Sequence, residues 1–261
     1  MSIDVNSTGT VEERRDGSIA VLTLNNPGKL NAVSPRLRDE LTAAFTRLNS
    51  DPLCRAVILT GADGNFSAGA DMHGWSEKTV QECRSRLKRG GALLMREMIA
   101  GSKPIIAAVE GYAYGAGLAL ACAADHVVCA SNARFCCAFT KVGFIPDLAL
   151  MYTLPRRVGA VRAKQLIALA DTIDGRRAGE LGLADEVVEP GAVAGRAREI
   201  AARYCETPPL AFELMKSAFA RDLEAMIQAE VDLQPYAWLS ADHEEGKRAF
   251  FEKRPPKFTG R

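Results

Sequence analysis

Asp147 is an acidic residue within an apolar segment, Lys141–Tyr152 (KVGFIPDLALMY). A carboxyl that lies among apolar side chains is expected to have a raised pKa, which suits it to act as a general base near neutral pH. A structural role is the alternative, because the pair Pro146-Asp147 could open a helix with Asp147 as its N-cap. The segment alone leaves both interpretations open.

Two glycine-rich turns each follow a predicted strand and precede a predicted helix. They are Gly61–Asp71 (GADGNFSAGAD) and Gly111–Gly117 (GYAYGAG). Such a turn frees backbone N–H groups at a helix N-terminus, where the helix dipole favours negative charge. Two convergent N–H donors form an oxyanion hole. Asp71 is expected to cap a helix that starts near Met72.

Apolar runs alternate with helical patterns around these turns. Ile19–Leu24 predicts a strand, Ser34-Pro35 predicts a helix start, and Ala56–Thr60 predicts a buried parallel strand. Further strands and helices are predicted at Ile105–Val109, Ala116–Ala124, His126–Ala130, Arg162–Ala170 and Val187-Val188. Only helical patterns follow Gly191. The sequence therefore predicts an α/β domain over residues 1–195 and a helical segment over residues 196–261.

Composition narrows the class of protein. The chain has 261 residues, of which 48% are hydrophobic and 25% charged, with a net charge of +1. These values are ordinary for a soluble domain and give no reason to expect nucleic acid or a membrane as partner. The seven cysteines form no CxxC pair, and the three histidines show no ligand spacing. From this spacing, reduced cysteines and no metal site are expected. Because no signal-like apolar core is visible at the N-terminus, a cytoplasmic protein is expected.

Two segments resemble the oxyanion-hole segments of the crotonase (enoyl-CoA hydratase/isomerase) superfamily. They are FSAGADMHGW at Phe66–Trp75 and KPIIAAVEGYAYGAGLALACAADHVVCA at Lys103–Ala130. The resemblance covers nearly the whole chain and implies a crotonase-type ββα spiral core whose helical C-terminal segment mediates assembly into trimers or hexamers. It also implies that the backbone N–H groups of Ala70 and Ala116 hold the thioester carbonyl of an acyl-CoA. Coenzyme A is then part of the substrate, and no separate cofactor is implied.

The sequence departs from the hydratases of this superfamily at two positions. Where those enzymes carry two glutamates, this chain has Ala119 and Phe139. Adding water across a double bond needs carboxylates to hold and deprotonate the water, so hydratase activity is expected to be negligible. Asp147 instead aligns with a catalytic aspartate of several isomerases and of chlorobenzoyl-CoA dehalogenases. With this resemblance, catalysis is the favoured role of Asp147.

The resemblance also implies which residues contact the substrate. Phe250 and Lys253 match a phenylalanine and a lysine that hold the CoA nucleotide in relatives, and Lys29 lies beside a strip that contacts the nucleotide. The full implied set is Lys29, Leu30, Ala32, Ala68, Asp71, Met72, Gly115, Phe139, Phe250 and Lys253.

The predicted function is isomerisation of a 3-enoyl-CoA to a 2-enoyl-CoA, with Asp147 moving the proton. Two alternatives stay open. Asp147 could be the nucleophile of an aryl- or acyl-CoA dehalogenase or hydrolase, although the histidine of those dehalogenases is replaced here by Ala92. The chain could also be a non-catalytic acyl-CoA binding protein.

Overall fold

The structure is a computed structural model and describes residues 9–73 and 75–261. Within these residues the strands are β1 Thr10–Asp16, β2 Ile19–Asn25, β3 Ala56–Gly61, β4 Ile105–Val109, β5 Tyr112–Tyr114, β6 His126–Ala130, β7 Arg134–Cys136, β8 Ile173–Asp174 and β9 Glu186–Val188. The helices are α1 Pro35–Ser50, α2 Val80–Arg89, α3 Gly91–Ile99, α4 Ala116–Ala123, α5 Leu150–Val158, α6 Ala160–Leu169, α7 Gly175–Glu180, α8 Val193–Cys205, α9 Pro209–Phe219, α10 Leu223–Trp238 and α11 Ala241–Glu252. A short 3-10 helix spans Thr140–Val142.

The larger sheet has the strand order β1-β2-β3-β4-β6-β9. β1 and β2 form an antiparallel hairpin, and the remaining neighbours are parallel. The central strands β3 and β4 are continuous apolar runs because helices cover the sheet, and α8 packs against β3, β4 and β6. The predicted α/β architecture with a helical C-terminal segment is confirmed.

The first strand has no apolar alternation that predicts it. Its sequence, TVEERRD, is mostly exposed, because β1 lies at the edge of the sheet. Charged side chains on an edge strand discourage pairing with other chains. The strand is stabilised by its register with β2, from Thr10 opposite Asn25 to Asp16 opposite Ile19.

Helix α1 begins where the sequence predicts. The Ser34 side chain accepts a hydrogen bond from the Leu37 N–H, Pro35 occupies the first turn, and Asp51 is the C-cap. In contrast, the prediction that Asp71 caps a helix starting near Met72 is wrong. α2 begins at Val80, eight residues later, and its N-cap is Thr79, which forms a capping box with Glu82.

Helix α4 is buried along its whole length. Its small residues let it approach the segment around Ser67, and a Cβ built on Gly117 would lie 2.5 Å from the Ser67 carbonyl oxygen. Larger side chains would push the two segments apart. The small-residue composition therefore serves close packing between the two glycine-rich turns.

The C-terminal helices return to the core. α8 crosses residue 195, the predicted domain boundary, and packs on the larger sheet. α10 packs against α2 and α5, and α11 packs against the 3-10 helix. No helix of the described ranges is both long and apolar enough to cross a membrane.

Candidate active site

A cavity of about 310 Å³ lies between the glycine-rich turns, the loop before α5, and helices α2 and α10. The residues predicted to act on the substrate meet here, since Ala70, Ala116 and Asp147 all line it. The other predicted contact residues in its wall are Ala68, Met72, Gly115, Phe139 and Phe250.

The first backbone donor, Ala70, lies in a short parallel bridge to Val33. The Val33 N–H donates to the Gly69 carbonyl at 2.7 Å, and the Val33 carbonyl accepts from the Asp71 N–H at 3.1 Å. In a parallel bridge of this kind, the N–H of the residue between these two points away from the partner. The Ala70 N–H therefore has no acceptor in this bridge, and Ala70 lines the cavity.

The second donor, Ala116, is the first residue of α4. A first-turn N–H has no acceptor within its own helix, and the helix dipole favours negative charge beside it. Gly115 has φ +48°, and its N–H donates to the Cys136 carbonyl at 3.0 Å. A Cβ built on Gly69 would lie 3.9 Å from the Ala116 nitrogen, which shows how closely the two turns abut. The arrangement can hold an oxyanion.

Asp147 is half-buried and lines the cavity. Burial raises the pKa of this carboxyl to about 6, against the opposing effects of a hydrogen bond with the Gln234 side chain and the charge of Arg86. Asp147 is not a helix N-cap, because α5 begins at Leu150 after Ala149. The capping alternative is therefore excluded by the structure.

The loop around Asp147 has an unusual backbone. Leu148 and Ala149, the two residues that follow Asp147, have φ +52° and +53°, which is uncommon for residues other than glycine. Such a conformation persists only when the surroundings hold it. Here the support comes from α10.

Two side chains of α10 hold this loop, and the sequence reasoning missed both. Gln234 donates to the Ile145 carbonyl at 2.9 Å and accepts from the Ile145 N–H at 3.2 Å. One turn earlier on the same helix, Glu230 accepts from the Ala149 N–H at 3.2 Å. The available signal was a pair of polar residues spaced by four within an apolar helical stripe.

Glu230 is a second carboxyl of the site, and it is more deeply buried than Asp147. It lines the cavity and is 5% exposed. Burial, followed by the neighbouring charge of Asp147, raises the pKa of Glu230 to about 8. Its Oε1 atom is buried and has no hydrogen-bond partner among the described residues. Of the two carboxyls, the more deeply buried Glu230 therefore holds its proton more tightly than Asp147 does.

An aromatic wall forms one part of the cavity lining. Trp75 and Phe144 stack with ring centroids 5.4 Å apart, and Trp238 lies 4.9 Å from each of them. The Arg86 guanidinium lies 5.5 Å from the Trp75 centroid, and it pairs with Glu77 at 2.8 Å. This wall offers an apolar surface with one cation beside it.

Ala119 and Phe139, which stand where the resemblance places the glutamates of hydratases, differ from each other in their surroundings. Phe139 lines the cavity, and Ala119 is fully buried in α4. Ala92, at the position of the dehalogenase histidine, also lines the cavity, and none of the described histidines does.

The residues predicted to bind the nucleotide lie mostly outside the cavity wall. Lys29 forms an ion pair with Asp71 at 2.8 Å, and Asp71 also bonds to the His73 ring. Although burial opposes it, hydrogen bonds from these two partners hold the pKa of Asp71 below its usual value. Asp71 thus anchors the turn after Ala70 through an ion pair and is not a cap.

The remaining predicted contacts are spread over two regions. Leu30 is exposed with φ +47°, and its carbonyl accepts from the Ala68 N–H at 2.9 Å. The Ala32 N–H donates to the Lys29 carbonyl. Lys253 is exposed at the C-terminal cap of α11 and does not line the cavity. The described residues include no cluster of His, Cys, Asp or Glu that could hold a metal ion.

Comparison with known proteins gives consistent matches. Residues 14–261 match the profile described as enoyl-CoA hydratase/isomerase. A probable enoyl-CoA hydratase of Rhodobacter capsulatus is 36% identical, over 97% of this chain and 98% of that protein. The 1,2-epoxyphenylacetyl-CoA isomerase of Escherichia coli is 34% identical, over 93% of this chain and 95% of that protein. The crystal structure of an enoyl-CoA hydratase from Mycobacterium avium subsp. paratuberculosis superposes with a TM-score of 0.85 at 28% identity, covering 97% and 99% of the two chains. These matches confirm the predicted crotonase-type fold.

Proposed function

Because the chain belongs to the enoyl-CoA hydratase/isomerase family, we propose that it is an acyl-CoA isomerase that moves a carbon–carbon double bond from position 3 to position 2. One observation carries the proposal. Asp147 lines the same cavity as Ala70 and Ala116, whose N–H groups lie at the two abutting turns.

The proposed reaction needs one base and an oxyanion hole. Asp147 takes a proton from C2 of the 3-enoyl thioester, and the electron pair moves to the thioester oxygen to give a dienolate. The N–H groups of Ala70 and Ala116 stabilise this oxygen, each by about 2.7–4 kcal/mol. The protonated Asp147 then returns the proton to C4 and the double bond forms between C2 and C3. No proton is gained or lost overall.

The environment of Asp147 suits this role. Burial raises the pKa of its carboxyl to about 6, so the group is ionised at neutral pH yet is a stronger base than an exposed aspartate. The aromatic wall of Trp75, Phe144 and Trp238 supports an apolar acyl group beside it.

Hydration is the main competing reaction, since relatives of comparable similarity have hydratase names. Phe139 and Ala119 supply no carboxylate at the two positions where hydratases have them. Glu230, however, brings a second carboxyl to the cavity from α10. Turnover of the two substrates by the pure protein therefore distinguishes an isomerase from a hydratase.

The deciding experiment uses two substrates with the pure protein. With trans-3-hexenoyl-CoA as substrate, we expect conversion to 2-hexenoyl-CoA. Chromatography of the two thioesters measures this conversion. With crotonyl-CoA we expect no formation of 3-hydroxybutyryl-CoA above a blank without protein. Robust hydration of crotonyl-CoA would reject the isomerase proposal in favour of a hydratase, and inertness toward the hexenoyl thioester would favour an acyl-CoA binding protein.

A further inference from the structure

Glu230 has no part in the one-carboxylate reaction proposed above, yet it lies in the same cavity as Asp147. Its contact with the Ala149 N–H at 3.2 Å joins it to the loop that carries Asp147. Gln234, one turn later, bonds to both polar groups of the Ile145 backbone. α10 thus holds both ends of a five-residue loop and places a second carboxyl beside the first.

Because Glu230 is buried, its ionised form has a high free energy unless it gains hydrogen-bond or charge partners. A carboxylate that loses water without gaining a partner is strongly destabilised. Glu230 accepts one backbone hydrogen bond, and its Oε1 atom has no partner in the part of the chain that the structure describes. The neutral, protonated carboxyl is therefore the stable form beside an ionised Asp147.

The surrounding elements contribute few charges that could compensate Glu230. Arg86 on α2 faces Asp147 and is paired with Glu77, and Arg84 on α2 is paired with Asp232 of α10. The ring Nδ1–H of His243 on α11 donates to the Val142 carbonyl at 2.7 Å, and burial lowers the pKa of His243. The other charged groups of the cavity wall are Lys141 and Arg38. Those of α5 are Arg156, which pairs with Asp222, and Arg157, which pairs with Asp185.

We propose that Glu230 is a second functional acid of this site, and that it must hold a proton for the acyl group of a thioester to bind. Asp147 then presents a single negative charge to the ligand. The inference rests on the proposed function only in taking an acyl-CoA as the ligand, and it does not depend on which reaction follows.

The physical reason is desolvation. Glu230 is only 5% exposed before a ligand binds, and an apolar acyl chain that fills the cavity removes this remaining exposure and offers no donor in return. Binding is thereby linked to protonation, and above the pKa of Glu230, about 8, the protein must take up a proton to bind. In that range the dissociation constant rises by up to about tenfold per pH unit.

The test measures binding of hexanoyl-CoA, a saturated thioester with no double bond to move. Calorimetry is carried out from pH 6.5 to 9.5 with the wild type, Glu230→Gln, and the control Glu224→Gln, which changes an exposed acid of the same helix that pairs with Arg96. Glutamine resembles the protonated glutamate in shape and can still accept from the Ala149 N–H. We expect the wild type and the control to bind more weakly as pH rises above 8, and Glu230→Gln to bind with little change.

Two further measurements do not depend on that variant. Titrations of the wild type at pH 9 in two buffers of different ionisation enthalpy should show uptake of close to one proton per ligand bound. In Asp147→Asn, removal of the neighbouring charge should move the onset of the weakening to lower pH, an effect that a purely structural Glu230 would not produce.

A wild-type dissociation constant that stays flat between pH 7 and 9.5 would overturn the inference, as would a Glu230→Gln protein that keeps the wild-type dependence. Absence of hexanoyl-CoA binding at every pH would overturn the proposed function and this inference together. Normal binding with the expected pH dependence but no isomerase activity would support the inference and reject the isomerase proposal alone.

Discussion

The side chain of Gln234 on α10 bonds to both backbone polar groups of Ile145, donating to the carbonyl at 2.9 Å and accepting from the N–H at 3.2 Å. Gln234 is fully buried, and Ile145 lies two residues before Asp147. A residue of the C-terminal helices thus determines where the candidate base lies.

Replacement of Gln234 by alanine should lower both stability and turnover. The change leaves two backbone groups of Ile145 without their partner, which we expect to cost about 2–4 kcal/mol in the free energy of unfolding. The loop that carries Asp147 loses one of its two contacts with α10, so kcat should fall more than KM rises. Urea unfolding and steady-state kinetics measure the two effects. Gln228→Ala, which removes an exposed bond to Asp232 on the same helix, is the control and should cost much less.

Asp147→Asn should lower turnover by about 10²–10⁴-fold, the usual contribution of a positioned general base. The amide keeps the size of the side chain but cannot accept the substrate proton, so binding of acyl-CoA should be largely kept. Turnover of 3-hexenoyl-CoA and calorimetry with hexanoyl-CoA measure the two properties. Glu110→Gln, at a residue that accepts from the Gly191 N–H outside the cavity, should retain activity. Full turnover by Asp147→Asn would remove this residue from the mechanism.

Stability should depend on pH through Glu230. Its pKa is raised to about 8 in the folded protein, compared with about 4.3 in an unfolded chain, so the folded state binds more protons between these values. The free energy of unfolding therefore falls as pH rises through this window, by at most about 1.4 kcal/mol per pH unit from this group. Urea unfolding from pH 5 to 9 should show a smaller fall for Glu230→Gln than for the wild type. Parallel curves would contradict the protonated state assigned to Glu230.

Thioesters should bind much better than the corresponding free acids. Two backbone N–H groups favour the carbonyl oxygen of the thioester, and Lys29 and Lys253 are the predicted partners of the nucleotide phosphates. Calorimetry with hexanoyl-CoA and hexanoate compares them at pH 7. Lys253→Ala should weaken binding of the thioester and leave that of hexanoate unchanged. Equal affinity for the two ligands would mean that the predicted nucleotide site is wrong.

The protein should form oligomers in solution. Several large apolar side chains of the C-terminal helices are exposed on the single chain, among them Leu210, Leu214, Phe219, Leu233 and Tyr236. Such a surface is typical of an assembly interface. Light scattering at micromolar concentration should give a mass above that of one chain, and Phe219→Glu should reduce it. Leu53→Glu, at a similarly exposed residue between α1 and β3, should have no effect, and a monomeric wild type would contradict the prediction.

Local signals in the sequence predicted much of this fold. Ser34 and Pro35 mark the start of α1, and the apolar run Ala56–Thr60 marks a strand that is buried on both faces. These predictions were possible because caps and continuous apolar runs depend on neighbouring residues. The apolar setting of Asp147 likewise predicted a carboxyl with a raised pKa, and the structure bears this out.

Contacts between distant parts of the chain could not be predicted in this way. Asp71 has the residue type of an N-cap, but Lys29, 42 residues earlier, engages it in an ion pair. Glu230 bonds to Ala149 across 81 positions, so its helix alone gave no indication of the partner. The capping box of Thr79 and Glu82 is a local signal that could have located the start of α2.

The cavity contains backbone N–H groups and side-chain carboxyls, and these two kinds of group depend on the sequence in different ways. The donors of Ala70 and Ala116 are main-chain groups, positioned by bonds such as those from Val33 to Gly69 and from Gly115 to Cys136 and by glycines with positive φ. The carboxyls are side chains, Asp147 in the loop before α5 and Glu230 on α10. A single substitution can add or remove either one. In the proposed mechanism, a few replacements in that loop and in α10 would therefore be enough to change the chemistry, while the backbone donors stay where they are.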